Sequence, residues 1–191
     1  LVFIAVLVGL HCNVAAEGRL PPASIFDMAE MLDVSTLDFK VISDEIVVVE
    51  GRSGEKVREV AFEFFSHARQ GESLRHKATI YVPAEGIAPE KMGMAVVNQN
   101  ASSNPEPGFD TKLEYGAHTA LDLGIVSLLL EFSIQHSDIK RPGPLRRYTT
   151  AKFFETGDPN WIHWVALAKV YMRGMTAVNE IDGIEANRFV L

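Results

Sequence analysis

The chain has 191 residues, 47% hydrophobic and 23% charged, with 14 Gly and 9 Pro; these are globular proportions that fit one ordinary domain and exclude wholesale disorder and collagen-like repeats. A net charge of −7, from 18 basic and 25 acidic residues, offers no basic face, so no nucleic-acid partner is expected. The single Cys excludes an intrachain disulfide framework and a CxxC zinc or redox site, and no cofactor is expected.

Residues 1–10 read LVFIAVLVGL, about half the roughly 20 apolar residues that a membrane-spanning helix needs. With Val14-Ala15-Ala16 behind it, this run reads as a secretory h-region with cleavage after Ala16. Residues 1–16 are then a signal peptide without its n-region, and residues 17–191 the mature part; the alternative is a buried strand. The signal reading makes the protein secreted or periplasmic, with no stable membrane span, and removes Cys12. His11 is too large for Cys12 to be a lipoprotein anchor.

Residues 24–32 form a short amphipathic stretch, opened by Ser24 and Asp27 as a weak capping box. Residues 57–67 alternate, with Val60, Phe62 and Phe64 on one face and Ala61, Glu63 and Phe65 on the other. Residues 74–82 alternate again after a Gly-containing turn, which predicts an antiparallel hairpin ended by Pro83. Residues 92–97 are continuously apolar, as in a strand buried on both faces of a parallel sheet. They lead into a polar loop from Asn98 to Pro105, a short helix over residues 115–123 and a second continuous apolar strand over residues 125–130. Strand, loop, helix, strand is the grammar of a βαβ unit.

Residues 139–148, rich in Pro and basic side chains, read as a loop. Asp158 and Pro159 then predict the start of one long helix over residues 159–182. Its apolar stripe predicts that Trp164, Ala168, Met172 and Met175 pack on the sheet. Phe189-Val190-Leu191 begins one more apolar strand. That strand and those over residues 94–97 and 125–130 are expected to be parallel and in one sheet with residues 78–82. A compact domain rarely ends inside a buried strand, so a piece of a longer protein is expected.

A hairpin leading into a parallel, helix-covered sheet is how an α/β-hydrolase begins. The expected fold class is therefore a truncated α/β-hydrolase-like fold with a mostly parallel sheet. Such an enzyme needs a G-x-S-x-G-like nucleophile elbow, then an acid, then a His. Gly51-Arg52-Ser53-Gly54 has the wrong spacing and precedes a hairpin strand, so no catalytic residue is assigned in this chain and the elbow is expected beyond Leu191.

The block from Phe153 through Glu155-Thr156-Gly157-Asp158 to Trp161 resembles the KF-ETGD-W segment of the PhoPQ-activated pathogenicity-related protein family. Ala78-Thr79-Ile80-Tyr81-Val82-Pro83, Ile134-Gln135-His136 and Ala186-Asn187-Arg188-Phe189-Val190-Leu191 are similar to its segments in the same order, so the resemblance runs from about Arg75 to Leu191. It implies an α/β-hydrolase-like fold in a secreted protein, with a Ser-centred elbow directly after Leu191. The chain departs from the family at Asn98-Gln99-Asn100-Ala101-Ser102, where the family loop is Gly-rich, and at Leu145-Arg146-Arg147, where it has an acidic pair.

The loop at Asn98 to Asn100 holds the position from which an α/β-hydrolase gives one backbone N–H to the oxyanion, so Gln99 and Asn100 are the oxyanion-hole candidates, set against an ordinary polar loop. His67 and His76 flank the hairpin turn and read as surface residues. No carboxylate or Cys is spaced to complete a metal site with them. His163 reads as exposed, and His118 and His136 as secondary pocket candidates. Trp161 and Trp164 read as core, with subsite aromatics as the alternative. The basic run from Lys140 to Arg147 reads as solvated, with the mouth of a site for an anionic substrate as the alternative.

The function expected is acyl hydrolysis of an ester or amide by the longer protein, the present chain being inactive. The alternative is a non-catalytic secreted signalling or interaction protein of the same fold; a third reading is an independent binding domain. A small-molecule or peptide substrate fits the first.

Overall fold

The computed structural model describes residues 25–69, 72–100, 110–131 and 142–191. The signal-peptide reading of residues 1–16, with Cys12, and the readings of Ser24, His136, Lys140 and Arg141 lie outside these residues.

The hairpin forms as the alternation predicts. β2 (Lys56–Arg69) and β3 (Glu72–Pro83) pair antiparallel, with Phe62 opposite Ala78 and Phe64 opposite His76. Val60, Phe62 and Phe64 are buried with Ala78 and Ile80 in the main core. A further strand precedes them: β1 (Lys40–Val48) pairs antiparallel with β2, and Arg58 of β2 holds Asp44 of β1 through two bonds of 2.8 and 2.7 Å. That pairing holds the Asp44 carboxyl below its usual range and raises Arg58 above its own.

β4 (Gly93–Asn100) and β5 (Val126–Glu131) are the two continuous apolar strands, and they pair parallel. β6 (Ala186–Val190) pairs parallel with β4, while β5 pairs antiparallel with β3. One six-stranded sheet results, in the order β1-β2-β3-β5-β4-β6. The expected single sheet with three parallel strands is found. The sheet as a whole is mixed rather than mostly parallel, because β1, β2 and β3 all run antiparallel to their neighbours.

Helices cover both faces. On one lies α2 (Thr119–Leu123), preceded by a π-helical turn over Leu113–His118. Ala117 and Ala120 pack with Val57, Tyr81 and Leu129 there. The helix can come this close only because residue 116 is Gly, since a Cβ there would overlap the buried Tyr81 ring. Gly116→Ala is expected to destabilise the fold by about 1–3 kcal/mol, read as a lower urea midpoint at unchanged slope; an unchanged midpoint would contradict this packing.

The opposite face carries α4 (His163–Val178) and α1 (Met28–Leu32), whose N-cap is Asp27. Two readings are corrected here. Residues 142–148 are not loop: Pro142–Thr156 is a helix, α3, with its prolines in the first turn, where a missing N–H is harmless. Residues 159–182 are not one helix. Asp158 caps a single 3-10 turn (Pro159–Trp161), Ile162 is extended, and the α-helix runs only from His163 to Val178.

The ETGD-x-x-W block is the joint between α3 and α4. Gly157, at φ +69°, ends α3 with its N–H on the Phe153 carbonyl. Asp158 Oδ1 accepts from both the backbone N and the Nδ2 of Asn160 at 2.9 Å, and Asn160 Oδ1 accepts from Lys169 Nζ at 2.7 Å. Trp161 is buried, edge-on to Tyr148.

The packing stripe of α4 is also not the expected one. Ala166, Val170, Arg173, Gly174 and Ala177 face inward, whereas Trp164 is 63% exposed. Trp164 lies two positions from Ala166, about 200° around the helix. Met172 is half-buried, and of the expected residues Met175 packs against the main core.

Candidate functional site

Parallel strands direct their carboxyl ends to one edge of a sheet, and ligands of open α/β sheets gather where successive connections leave in opposite directions. In this chain that place is the end of β4. The connection after β4 leads to β5 on one side, while β6 returns on the other. The last residues of β4 are Asn98, Gln99 and Asn100, paired with Leu129, Leu130 and Glu131. Both oxyanion-hole candidates therefore stand at the switch point. They belong to the strand itself, however, and not to the loop as expected.

The end of β4 is gripped from both faces. Asn98 Nδ2 donates to the Tyr115 carbonyl at 2.9 Å, and Ser127 Oγ of β5 donates to the same oxygen at 2.9 Å. The π-helical turn presents that carbonyl to the sheet. On the other face Tyr171 of α4 donates its hydroxyl proton to Gln99 Oε1 at 3.2 Å. Burial raises the Tyr171 phenol above its ordinary value, so it stays protonated and keeps donating. Gln99 makes no other side-chain hydrogen bond among the described residues.

The hairpin histidines share the sheet edge with Gln99, because Lys77 of β3 lies level with Glu131 and Asn100 across β5. They are not surface residues: His67 is 1% and His76 2% exposed. A bulge between Phe65 and His67 turns two consecutive residues, Ser66 and His67, inward. Ser66 Oγ lies 2.9 Å from His67 Nδ1, 2.9 Å from His76 Nε2 and 3.3 Å from the Leu74 carbonyl.

All three bonds form together when both imidazoles donate to Oγ and the hydroxyl donates to Leu74. In that arrangement the hydroxyl proton lies on a carbonyl and not on a base, which fits a buried structural serine. His76 Nδ1 is left buried without a hydrogen-bond partner, and burial lowers the His76 pKa to about 4.

The remaining readings resolve singly. His163 is buried rather than exposed, edge-on to Trp164 at 5.4 Å. His118 is half-buried: its Nδ1 faces Glu114 Oε2 at 3.3 Å and its Nε2 the Glu50 carbonyl at 3.1 Å. Arg146 and Arg147 are exposed on α3, so this part of the basic run is solvated but helical. Ser53 lies in the β1–β2 turn. Sequence reasoning missed Tyr171, whose signal was a tyrosine in the middle of a helix, and Ser66.

Among the described residues no three His, Cys, Asp or Glu side chains gather as a metal cluster, and no helix is long and apolar enough to cross a membrane. A cleft of about 1000 Å³ opens at the opposite edge, between Val82, Ile87, Gly93 and Asn187. Val82 lies at the end of β3, Ile87 between β3 and β4, and Gly93 and Asn187 at the start of β4 and β6, so it lies away from the carboxyl ends of the parallel strands.

No family model matches the chain, and no curated protein matches it. Among solved structures it is similar to a Bacteroides fragilis protein provisionally described as an acetyl xylan esterase, at 12% identity and a TM-score of 0.44 over 85% of this chain. The chain spans 43% of that structure's length.

Proposed function

We propose that this chain is the N-terminal portion of a secreted or periplasmic α/β-hydrolase-like protein, related to the PhoPQ-activated pathogenicity-related family, that hydrolyses an ester or amide in its longer form. The observation that carries the reading is the switch point at the end of β4, with Gln99 and Asn100 on the strand whose following loop lends an oxyanion N–H in such enzymes. The register adds to it. Val96 of β4 lies opposite Val190 of β6. A β6 that continued in that register would bring the residues just beyond Leu191 level with Gln99, where a nucleophile elbow would place its Ser beside the oxyanion donors. Secretion rests on the apolar run and the small-residue site in residues 1–16.

The mechanism proposed is acyl transfer. A Ser from the elbow attacks the carbonyl, a His takes its proton and returns it to the leaving group, and the oxyanion is held by backbone N–H groups of the β4 end and the elbow. Water then releases the acid. On the present chain alone no acyl-enzyme is expected: among the described residues the Ser–His contacts are those of the buried Ser66, whose Oγ lies against two rings and the Leu74 carbonyl.

The test is labelling of the full-length gene product with an alkyl fluorophosphonate, followed by peptide mapping. One labelled Ser shortly beyond Leu191, with Ser66 unlabelled and p-nitrophenyl acetate turnover lost in step, is the expected result. The 191-residue chain alone is expected to give neither label nor turnover above a heat-treated control. A labelled Ser66, or esterase activity in the short chain, would overturn the assignment. A folded, unlabelled full-length product would favour the signalling alternative.

A further inference from the structure

Backbone N–H groups are the oxyanion candidates at the β4 end. The side chain of Gln99 carries a second possibility, which rests on the acyl-hydrolase reading of the same site. A carboxamide has one acceptor oxygen and two N–H donors on opposite ends of one plane. Tyr171 donates to Oε1 at 3.2 Å, which fixes the plane and commits the acceptor end. Nothing else among the described residues bonds the side chain, so among them the Nε2 end keeps both donors. Gln99 is only half-buried, so its side chain keeps some contact with solvent.

The backbone beneath it cannot shift easily. Asn98, the preceding residue, is tied to the Tyr115 carbonyl on the other face, and Gln99 itself is paired with Leu130. Gly174 lets α4 approach β5 closely, for a Cβ there would come within 2.7 Å of Leu130 Cδ2. Tyr171 is thereby seated over the β4 end at a fixed height. A donor pair held this way costs no reorganisation when charge develops in front of it.

We propose that the Gln99 carboxamide is an anion-holding donor of this site, binding a carboxylate or the tetrahedral oxyanion through Nε2, and that Tyr171 is its positioning residue. The alternative role is structural, with Gln99 there only to satisfy the Tyr171 hydroxyl. The two roles separate cleanly in Gln99→Glu. That variant keeps the shape and keeps an oxygen for Tyr171, but replaces the free donors by a second acceptor and a negative charge. A structural role survives it, and a donor role does not. Tyr171→Phe does the converse, keeping the donors but releasing the plane.

The experiment titrates the full-length gene product, ¹⁵N-labelled at glutamine side chains, with sodium methylphosphonate as a tetrahedral anion. The Gln99 side-chain N–H signals, assigned by their loss in Gln99→Ala, are expected to move saturably. Gln99→Glu is expected to weaken phosphonate binding by at least about tenfold, the size of a lost bond to a charged group. Tyr171→Phe is expected to weaken it less, with its thermal midpoint little changed. Absence of a saturable shift in the wild type, or equal affinity in Gln99→Glu, would overturn the proposal. Ester turnover measured in parallel separates it from the reading beneath it. Saturable, Gln99-dependent binding without turnover removes the hydrolase and keeps the donor. Turnover with an affinity that Gln99→Glu leaves unmoved keeps the hydrolase and removes the donor.

Discussion

Arg173→Met is expected to remove about 3 kcal/mol or more of stability, because several buried carbonyls lose their donor at once, each at a cost of about 1–3 kcal/mol. Arg173 lies in the middle of α4 and is 1% exposed, an unusual place for a guanidinium. Its Nη1 donates to the carbonyls of Glu30, Met31 and Asp33 at 2.9, 3.2 and 2.7 Å. Its Nη2 donates to Thr36 Oγ1 at 2.9 Å, and its Nε to the Phe65 carbonyl at 3.4 Å. A helix of five residues has more orphan carbonyls at its end than it can satisfy itself, and here one side chain from another element satisfies them.

Burial lowers the Arg173 pKa, opposed by the nearby Asp33 and Glu30 charges, and a guanidinium remains ionised under such pressure. Methionine fills the stem's volume but leaves the carbonyls without donors. Arg173→Lys is expected to fall between, since one ammonium cannot span three carbonyls and Thr36. Most of a marginal domain's stability is at stake. Denaturant unfolding gives the magnitude, and hydrogen exchange gives the place: amides of α1 should lose protection before those of β2 and β3. Unchanged midpoints for both variants would show that the guanidinium bonds are replaceable by water.

The elements legible in the sequence were those whose burial follows a regular period. β2 and β3 alternate because one face meets α4, and β4 and β5 are continuously apolar because helices cover both faces. β1 was not legible because an edge strand has little burial to report. Val41, Ile42, Ile46 and Val48 are all at least 44% exposed, and Ser43-Asp44-Glu45 interrupts the run. α3 was hidden by Pro142 and Pro144, which punctuate a chain but are harmless in a first turn.

The stripe of α4 misled because its inward residues include Arg173 and Gly174, which no apolar pattern counts, while the conspicuous Trp164 faces solvent. The same reasoning bears on the site. The order of elements alone proposes Gln99 and Asn100 as candidates, before any geometry. The bonds that hold this strand end, from Asn98 to the Tyr115 carbonyl and from Tyr171 to Gln99, join residues 17 and 72 positions apart and could not be read from spacing. His67 escaped because a bulge reverses parity, whereas His76 sits on the apolar parity of its own strand, with Leu74 and Ala78, and its burial was there to be read.

That buried histidine sets the second large expectation, an acid limit on the fold. Folding holds the His76 pKa at about 4 against an ordinary 6.5, because burial disfavours the charged ring. The folded chain therefore binds fewer protons than the unfolded chain between those values, and stability must fall as pH falls. The contribution is fully present above about pH 6.5, shrinks on the way down, and is gone below about pH 4. Its size is about 3 kcal/mol, at roughly 1.4 kcal/mol for each pH unit between the two values. The geometry gives the reason. Nε2 is bonded to Ser66 Oγ, the Phe64 ring centroid lies 5.7 Å away, and Nδ1 has no partner that could share a proton's charge. Protonation would place an unpaired cation in the core, so acid should open the hairpin at this end first.

His76→Phe removes the titrating group at similar size. It is expected to flatten the slope of unfolding free energy against pH between about 6.5 and 4, even though the lost Ser66 bond lowers stability at neutral pH by about 1 kcal/mol. The check is a series of urea melts at half-unit pH intervals for the wild type and His76→Phe. A wild-type slope that persists unchanged in the variant would overturn the assignment to His76, because Asp44, held below its ordinary carboxylate range, loses its contribution only at lower pH.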